Sequence, residues 1–273
     1  MLGKRFPDRM FDVGIAEGHA VTFSGGMAKD GLMPFCNIYS SFSQRAYDQI
    51  IHDVALQKLP VVLCFDRAGL VGEDGATHHG CFDMAAYRSI PDTTIIAPRN
   101  EKELKNAMYT GLLQEDGPYI IRYPRGMGEG VEWKECGYEM LPPGKGEKLR
   151  DGSDMAILTI GPAAAEALAA ADLMEEECGI RASVYDMRYL KPADRQIMRE
   201  AAATGKVITV EDGALKGGLY SEMCEFAAGE GLDIAVKGIG IPDRFIKHAR
   251  QAEERAECGL DRAGIKEIMR NLK

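Results

Sequence analysis

Short apolar, β-rich runs alternate with helix-spaced stretches along nearly the whole of this 273-residue chain. No other feature constrains its fold as tightly. Strands separated by helices form mostly parallel sheets, because each crossover helix must lie on a sheet face. Residues 11–13, 33–38, 61–66, 94–97 and 119–122 read as strands. Between them, residues 44–57 place Tyr47, Ile50, Ile51 and Val54 at i, i+3, i+4 and i+7, one face of a helix. Residues 100–113 read as another helix, with Asn100 as N-cap and Glu103 three residues on, the spacing of a capping box. Residues 126–151 change texture to Gly, Pro and charge (LPPGKGEKLRDG) and read as a linker. A second alternation follows: strands at 156–160, 182–185, 207–211 and 234–239, helices at 162–178, 194–203 and 221–229. The predicted fold class is α/β, two domains, each a mostly parallel sheet flanked by helices.

Several function classes drop out. A formal net charge of −9 supplies no basic field for a nucleic-acid backbone, although local arginines still suit a small phosphorylated ligand. No apolar run approaches the ~18 residues of a membrane span. The start, MLGKRFPDRMFDV, has no apolar signal core. The seven cysteines include no CxxC pair, so a disulfide framework or zinc site is not expected, most are expected in the core, and a reducing cytoplasm is the expected compartment. Walker, GxGxxG and GxSxG motifs are missing from the sequence, against P-loop, dinucleotide and serine-hydrolase chemistry.

Four segments carry candidate chemistry. In IAEGHAV, Glu17 falls at the junction of an expected strand and helix, where open α/β sheets place ligands. It reads either as a proton-exchanging carboxyl or as a first-turn glutamate favoured by the helix dipole. In YSSFSQRAYDQ, Tyr39 and Phe42 offer flat faces and Arg45 an anion contact; core aromatics and a solvated arginine are the bland alternative. The loop DRAGLVGEDGATHHGCFD gathers Arg67, Glu73, Asp74, His78 and His79 between glycines, and His78 is its candidate for proton transfer or oxyanion stabilisation. The HH pair has no HExxH or compact ligand set around it, which makes metal binding there a weak reading. In RYPRG, Arg122 and Arg125 follow a strand, and one of them is expected to face a crevice.

Taken in order, FPDRMFDVGIAEGHAVTF, IYSSFSQRAYDQIIHDVALQKLPV, DRAGLVGEDGATHHGCFD and DGPYIIRYPRG resemble the 1-deoxy-D-xylulose-5-phosphate synthases, thiamine-diphosphate enzymes of the transketolase superfamily. DMRYLKP, VEDGALKGG, GIPDRFIKH and GLDRAGI continue the resemblance to nearly the end. The resemblance implies an aminopyrimidine-binding domain over residues 1–130, a linker over 131–150 and a transketolase C-terminal-like domain over 151–273. It implies condensation of pyruvate with glyceraldehyde 3-phosphate and loss of carbon dioxide, for isoprenoid, thiamine and pyridoxal biosynthesis. Glu17 matches the glutamate that exchanges a proton with the aminopyrimidine ring, so that the thiazolium carbon can lose its own; the cofactor then holds the electrons left by decarboxylation. Phe42 matches the aromatic that stacks on that ring. Tyr39, Arg45, Arg67, Asp74, His78 and Arg125 match polar residues of the substrate channel, with His78 serving oxygens that change charge. A homodimer is implied.

The sequence departs from the family in three ways. Gly18 stands where the family often has glutamine, and KGGLYSEM at 216–223 replaces a GGFGS-like run. The GDG motif and asparagine that hold Mg2+ and the diphosphate have no match, and the opening strand and helix of the first domain are also expected to be missing. The chain is therefore expected to be a fragment, a split-gene subunit or a truncated chain, inactive alone, with a separate chain carrying the diphosphate-binding domain. Two other readings stand beside this one: a β-type subunit of a 2-oxoacid dehydrogenase or transketolase half-enzyme, and a non-catalytic binding or assembly module.

Overall fold

The structure is a computed structural model that describes residues 2–272. In chain order, a short helix α1 (Leu2–Arg5), a 3-10 turn (Pro7–Arg9) and an irregular stretch lead to α2 (Glu17–Lys29), β1 (Phe35–Tyr39), a 3-10 turn (Ser40–Ala46) and α3 (Tyr47–Gln49), which runs into a π-helical turn (Ile50–Ala55). Next come β2 (Val62–Asp66), α4 (Asp83–Tyr87), β3 (Thr94–Ile96), α5 (Glu101–Leu112) and β4 (Tyr119–Arg122). The second half holds β5 (Glu147–Arg150), β6 (Met155–Ile160), α6 (Ala163–Cys178), β7 (Ala182–Asp186), β8 (Tyr189–Lys191), α7 (Arg195–Ala202), β9 (Lys206–Ala214), α8 (Leu219–Glu230), β10 (Ala235–Ile241), α9 (Gln251–Glu257) and α10 (Arg262–Asn271).

Two five-stranded sheets result, in the orders β1-β2-β4-β3-β8 and β10-β9-β6-β7-β5. Pairings are parallel except for β8 against β3 and β5 against β7. The central strands are buried along their length, which is why they read as continuous apolar runs. In α6, Ala163, Ala164, Ala167, Ala170 and Ala171 let the helix lie close on its sheet. Asp194 and Asp261 cap α7 and α10, accepting the otherwise unpaired first-turn N–H groups. β8 crosses from the second half into the first sheet, and the Tyr189 hydroxyl lies 2.9 Å from that of Tyr119 and donates to Leu141 O at 2.7 Å. One apolar cluster consequently spans both halves, joining Phe65 and Tyr87 to Met187, Leu190 and Leu219.

Some local expectations are corrected. Residues 11–13 form no strand: they have no ladder partner, and Phe11 lies exposed. Residues 44–57 bury Ile50 and Val54 as their spacing predicts, but the pitch is not α-helical throughout. The backbone bonds Leu56 N–H to Ile51 O (2.8 Å) and Leu59 N–H to Val54 O (3.0 Å) span five residues. Asn100 caps α5 through Glu103 N–H at 3.0 Å, whereas the Glu103 carboxylate accepts from Arg99 N–H, not from Asn100 N–H, so the box is half made. The 126–151 stretch is fastened along α5. Glu101 accepts from Gly130 N–H at 2.7 Å, Lys105 donates to Trp133 O at 2.8 Å, and the stretch ends in β5. Only Cys36, Cys64 and Cys81 of the cysteines are buried, fewer than expected; all seven are free thiols. Among the described residues no helix is long and apolar enough to cross a membrane.

Candidate functional site

The site lies where the first sheet's β1 and β2 end and the second half's α9 and the end of β9 come beneath them. β1 delivers Tyr39 at its last residue, and the following 3-10 turn presents Phe42 and Arg45 on one side. Tyr39 and Phe42 stack with centroids 5.7 Å apart. The Arg67 guanidinium lies over Tyr39 at 4.1 Å, and that of Arg45 over Phe42 at 4.6 Å. Arg45 Nη1 also donates to Glu17 Oε1 at 3.1 Å. Glu17 is the first residue of α2 and its side chain is 12% exposed. His78 meets the edge of Phe42 at 5.2 Å, with its Nδ1 2.9 Å from Thr77 Oγ1. Six of the eight expected site residues thus form one contact chain, from Arg67 through Tyr39, Phe42 and Arg45 to Glu17, with His78 on the side. The other two, Asp74 and Arg125, pair with each other at 2.8 Å, and Arg125 also holds Val71 O. An open cleft of about 690 Å³ adjoins Phe42 and Arg45 and is lined further by Tyr47, His79, Phe82 and Phe245.

The 66–83 loop is pinched at its neck, where Gly69 and Gly80 exchange two backbone hydrogen bonds of 2.8 Å each. Both positions demand glycine. A Cβ on Gly69 (φ +75°) would fall 2.1 Å from the Asp212 carboxylate, and one on Gly80 would fall 2.4 Å from Arg67 O. Beyond the neck, the two imidazoles diverge. His78 turns to Phe42, while His79 is buried and its Nδ1 accepts from Val71 N–H at 3.2 Å. Among the described residues no cluster of His, Cys, Asp and Glu is arranged to hold a metal.

Arg122 and Arg125 have different tasks. Arg122 is buried, with Nε donating to Asp83 Oδ2 and Nη2 to Asp212 O, both at 2.8 Å. It ties β4 to β9 and does not face the cleft. Asp212 Oδ1 in turn accepts from Leu70 N–H at 3.1 Å. Burial raises the Asp212 carboxyl above its ordinary range, against the pull of Arg255 and Arg122. Asp83, Asp212, Gln251 and Glu254 support the loop and were not among the expected site residues, although Asp83 closes the DRAGLVGEDGATHHGCFD segment and Asp212 lies in VEDGALKGG.

The pattern of the family "Transketolase, pyrimidine binding domain" matches residues 1–129, and that of "Transketolase, C-terminal domain" matches residues 144–265. A solved structure described as "Split gene transketolase, inactive beta4 tetramer" superposes with a TM-score of 0.89 at 30% identity, covering 99% of this chain and 86% of that one. The chain belongs to the transketolase family. Within that family it is similar to 1-deoxy-D-xylulose-5-phosphate synthase of Bacteroides fragilis, 55% identical over 270 residues, which are 98% of this chain and 42% of the relative. The synthase of Parabacteroides distasonis is 56% identical over 265 residues, 96% of this chain and 41% of that one. The chain thus spans about two fifths of the length of these relatives. As in the transketolase family's two matched modules, each half is an α/β layer structure around a mostly parallel sheet. The departure at Gly18 is sterically mild: a Cβ there would meet Gln49 Oε1 at 3.4 Å, an ordinary contact. In the 216–223 run, Leu219 and Tyr220 N–H groups donate to the buried Glu211 carboxylate at 2.7 and 2.9 Å, which caps α8.

Proposed function

We propose that this chain is the aminopyrimidine-side part of a thiamine-diphosphate-dependent synthase that condenses pyruvate with glyceraldehyde 3-phosphate to 1-deoxy-D-xylulose 5-phosphate, with loss of carbon dioxide, for isoprenoid, thiamine and pyridoxal biosynthesis. The observation that carries this reading is the Phe42–Arg45–Glu17 arrangement. The planar Arg45 guanidinium lies over the Phe42 ring while donating an N–H to Glu17. These are the two contacts an aminopyrimidine needs, a ring face and a carboxylate partner, so the guanidinium serves as a stand-in and the residues fit the group. Thiamine diphosphate, when bound, supplies the carbon nucleophile and the electron sink.

The chain's own residues do the rest. Glu17 holds or moves a proton at the pyrimidine edge, and Phe42 orients the ring by stacking. On the acceptor side, Arg67, Arg45 and Arg125 supply permanently charged, forked donors for a phosphate. His78 and Asp74 stand on the loop that lines this side, with His78 placed to donate to or accept from oxygens that change charge during carbon–carbon bond formation. Mg2+ and the diphosphate belong to a domain outside the two matched modules, carried by a separate chain or by the rest of a longer one. We propose a homodimer of that assembly: beside Glu17, Ile15 is 92% exposed and Phe11 and Met10 are exposed as well, an apolar face suited to a protein partner. The solved relative described as an inactive β4 tetramer supports the view that this polypeptide alone does not turn over.

Titration with thiamine diphosphate and Mg2+, with and without a chain carrying the diphosphate-binding domain, tests the proposal. Tight binding and product are expected only with the partner. Robust turnover by this polypeptide alone refutes its dependence on the second domain. A reconstituted complex that acetylates a lipoyl group and ignores the aldehyde would instead identify a 2-oxoacid dehydrogenase subunit.

A further inference from the structure

Helix α9 and the segment before it lie under the 66–83 loop and grip it at several points. Glu254 is fully buried, at 0% exposure. Its Oε2 accepts from Gly72 N–H at 2.8 Å, and its Oε1 accepts from Ala249 N–H at 3.2 Å. Oε1 also lies 3.6 Å from His79 Nε2. Because His79 Nδ1 accepts from Val71 N–H, a neutral ring carries its proton on Nε2, the nitrogen facing Glu254. Gln251 Nε2 donates to Leu70 O at 2.6 Å and to Arg125 O at 3.3 Å. A carboxylate buried this deeply is costly unless its oxygens are taken up by donors. Here the donors are the loop's own backbone and the backbone of the turn before α9, while the His79 ring faces Oε1 without a hydrogen bond to it.

The loop segment beyond the Gly69–Gly80 neck carries Asp74 and His78 and has no regular structure apart from the 3-10 turn Gly72–Asp74. Its place is therefore set by what it is fastened to. Gly72 lies two residues before Asp74, and His79 directly follows His78. We propose that Glu254, from the C-terminal module, is a positioning residue for the acceptor side of the site. Through Gly72 and His79 it sets where Asp74 and His78 stand, and so governs capture of the phosphorylated aldehyde and bond formation to it rather than the binding of pyruvate. This inference rests on the function proposed above.

Two measurements test it, and the first does not depend on that function. In Glu254→Ala, amide exchange across residues 71–79 of the full chain should rise about tenfold or more, while amides of β1, β2 and β4 stay within about twofold. Glu254→Gln keeps one oxygen for Gly72 and should show a smaller rise confined to the same residues. It decides the matter if the alanine variant fails to fold. Loop exchange that is unchanged, or that rises only in step with the strands, overturns the proposal. In the complex reconstituted with a diphosphate-binding chain, kcat/KM for glyceraldehyde 3-phosphate should fall about tenfold, with the KM for pyruvate within about twofold. An unchanged kcat/KM for the aldehyde, or a pyruvate KM that rises by as much, overturns it. His79→Asn keeps an acceptor for Val71 N–H and removes the Nε2 proton; it should give a milder fall in kcat/KM for the aldehyde, and a shift in the pyruvate KM instead counts against the proposal. A wild-type complex that does not consume the aldehyde would sink the proposed function, while the exchange data would still decide whether Glu254 holds the loop.

Discussion

Replacing Arg122 with methionine should destabilise the fold more than any change at the exposed arginines. Arg122 and Asp83 side chains are each 2% exposed, and their Nε–Oδ2 distance is 2.8 Å. Methionine fills much of the volume but leaves Asp83 as a buried carboxylate without its cation and Asp212 O without its donor. Breaking a buried pair in this way costs about 3–5 kcal/mol. Asp83 Oδ1 keeps the Met84 N–H, which places the expected loss at the lower end, about 3 kcal/mol. Replacing both partners removes the stranded charge, so Arg122→Met with Asp83→Leu should recover about 2 kcal/mol relative to the sum of the single changes. Urea unfolding of the four proteins gives the double-mutant cycle directly. A cost below about 1 kcal/mol for Arg122→Met, or strict additivity in the double variant, would show that the buried Arg122–Asp83 pair does not fasten β4 to α4.

Other outcomes follow from the same structure. Glu17→Ala should abolish product formation in a reconstituted complex while leaving urea stability nearly unchanged; a near-normal rate removes Glu17 from its proposed role. Burial raises the Glu211 carboxyl from 4.5 to about 7 against the pull of the Tyr220 and Leu219 N–H groups. The folded state therefore keeps this proton when the unfolded chain has lost it, and the resulting stability is full below pH 4.5 and lost as pH rises towards 7. Stability measured from pH 4.5 to 7.5 should fall by about 3 kcal/mol more in the wild type than in Glu211→Gln, and parallel curves would refute this. Asn100→Ala should cost about 1 kcal/mol in urea unfolding through loss of the α5 cap, and no measurable loss would mean that another group takes up Glu103 N–H.

Much of this fold is legible in the sequence because its central strands are buried on both faces. Val62–Asp66 and Tyr119–Arg122 stand out as apolar runs for that physical reason. Two edge strands are illegible for the converse reason. Glu147–Arg150 is a polar edge strand, and Tyr189–Lys191 is three residues long and acquires its meaning from a partner far away in sequence. Periodicity identified which face of residues 44–57 is buried, but it cannot report hydrogen-bond pitch, and so missed the 3-10 and π turns. The apolar residues near Phe11 read as a strand although they form an exposed face. The site divides in the same way. Tyr39, Phe42, Arg45 and His78 lie in compact segments whose residue types advertise chemistry. Asp212 and Glu254 act on the loop from 142 and 182 residues away, and a buried carboxylate facing a distant backbone N–H leaves no local pattern.

The borrowed strand β8 bears on how such a polypeptide can be dissected. The two matched modules are separated by residues 130–143, an inviting place for a protease or for a designed gene split. A piece ending there would lack Tyr189–Lys191. The outer edge of β3 would lie bare, Ala97 N–H would lose the Arg188 carbonyl, and the Tyr119 hydroxyl would lose its neighbour. Bare strand edges recruit other chains. Limited proteolysis in that stretch should therefore yield two fragments that stay together and co-migrate under native conditions, and the N-terminal fragment expressed alone should come out as aggregate.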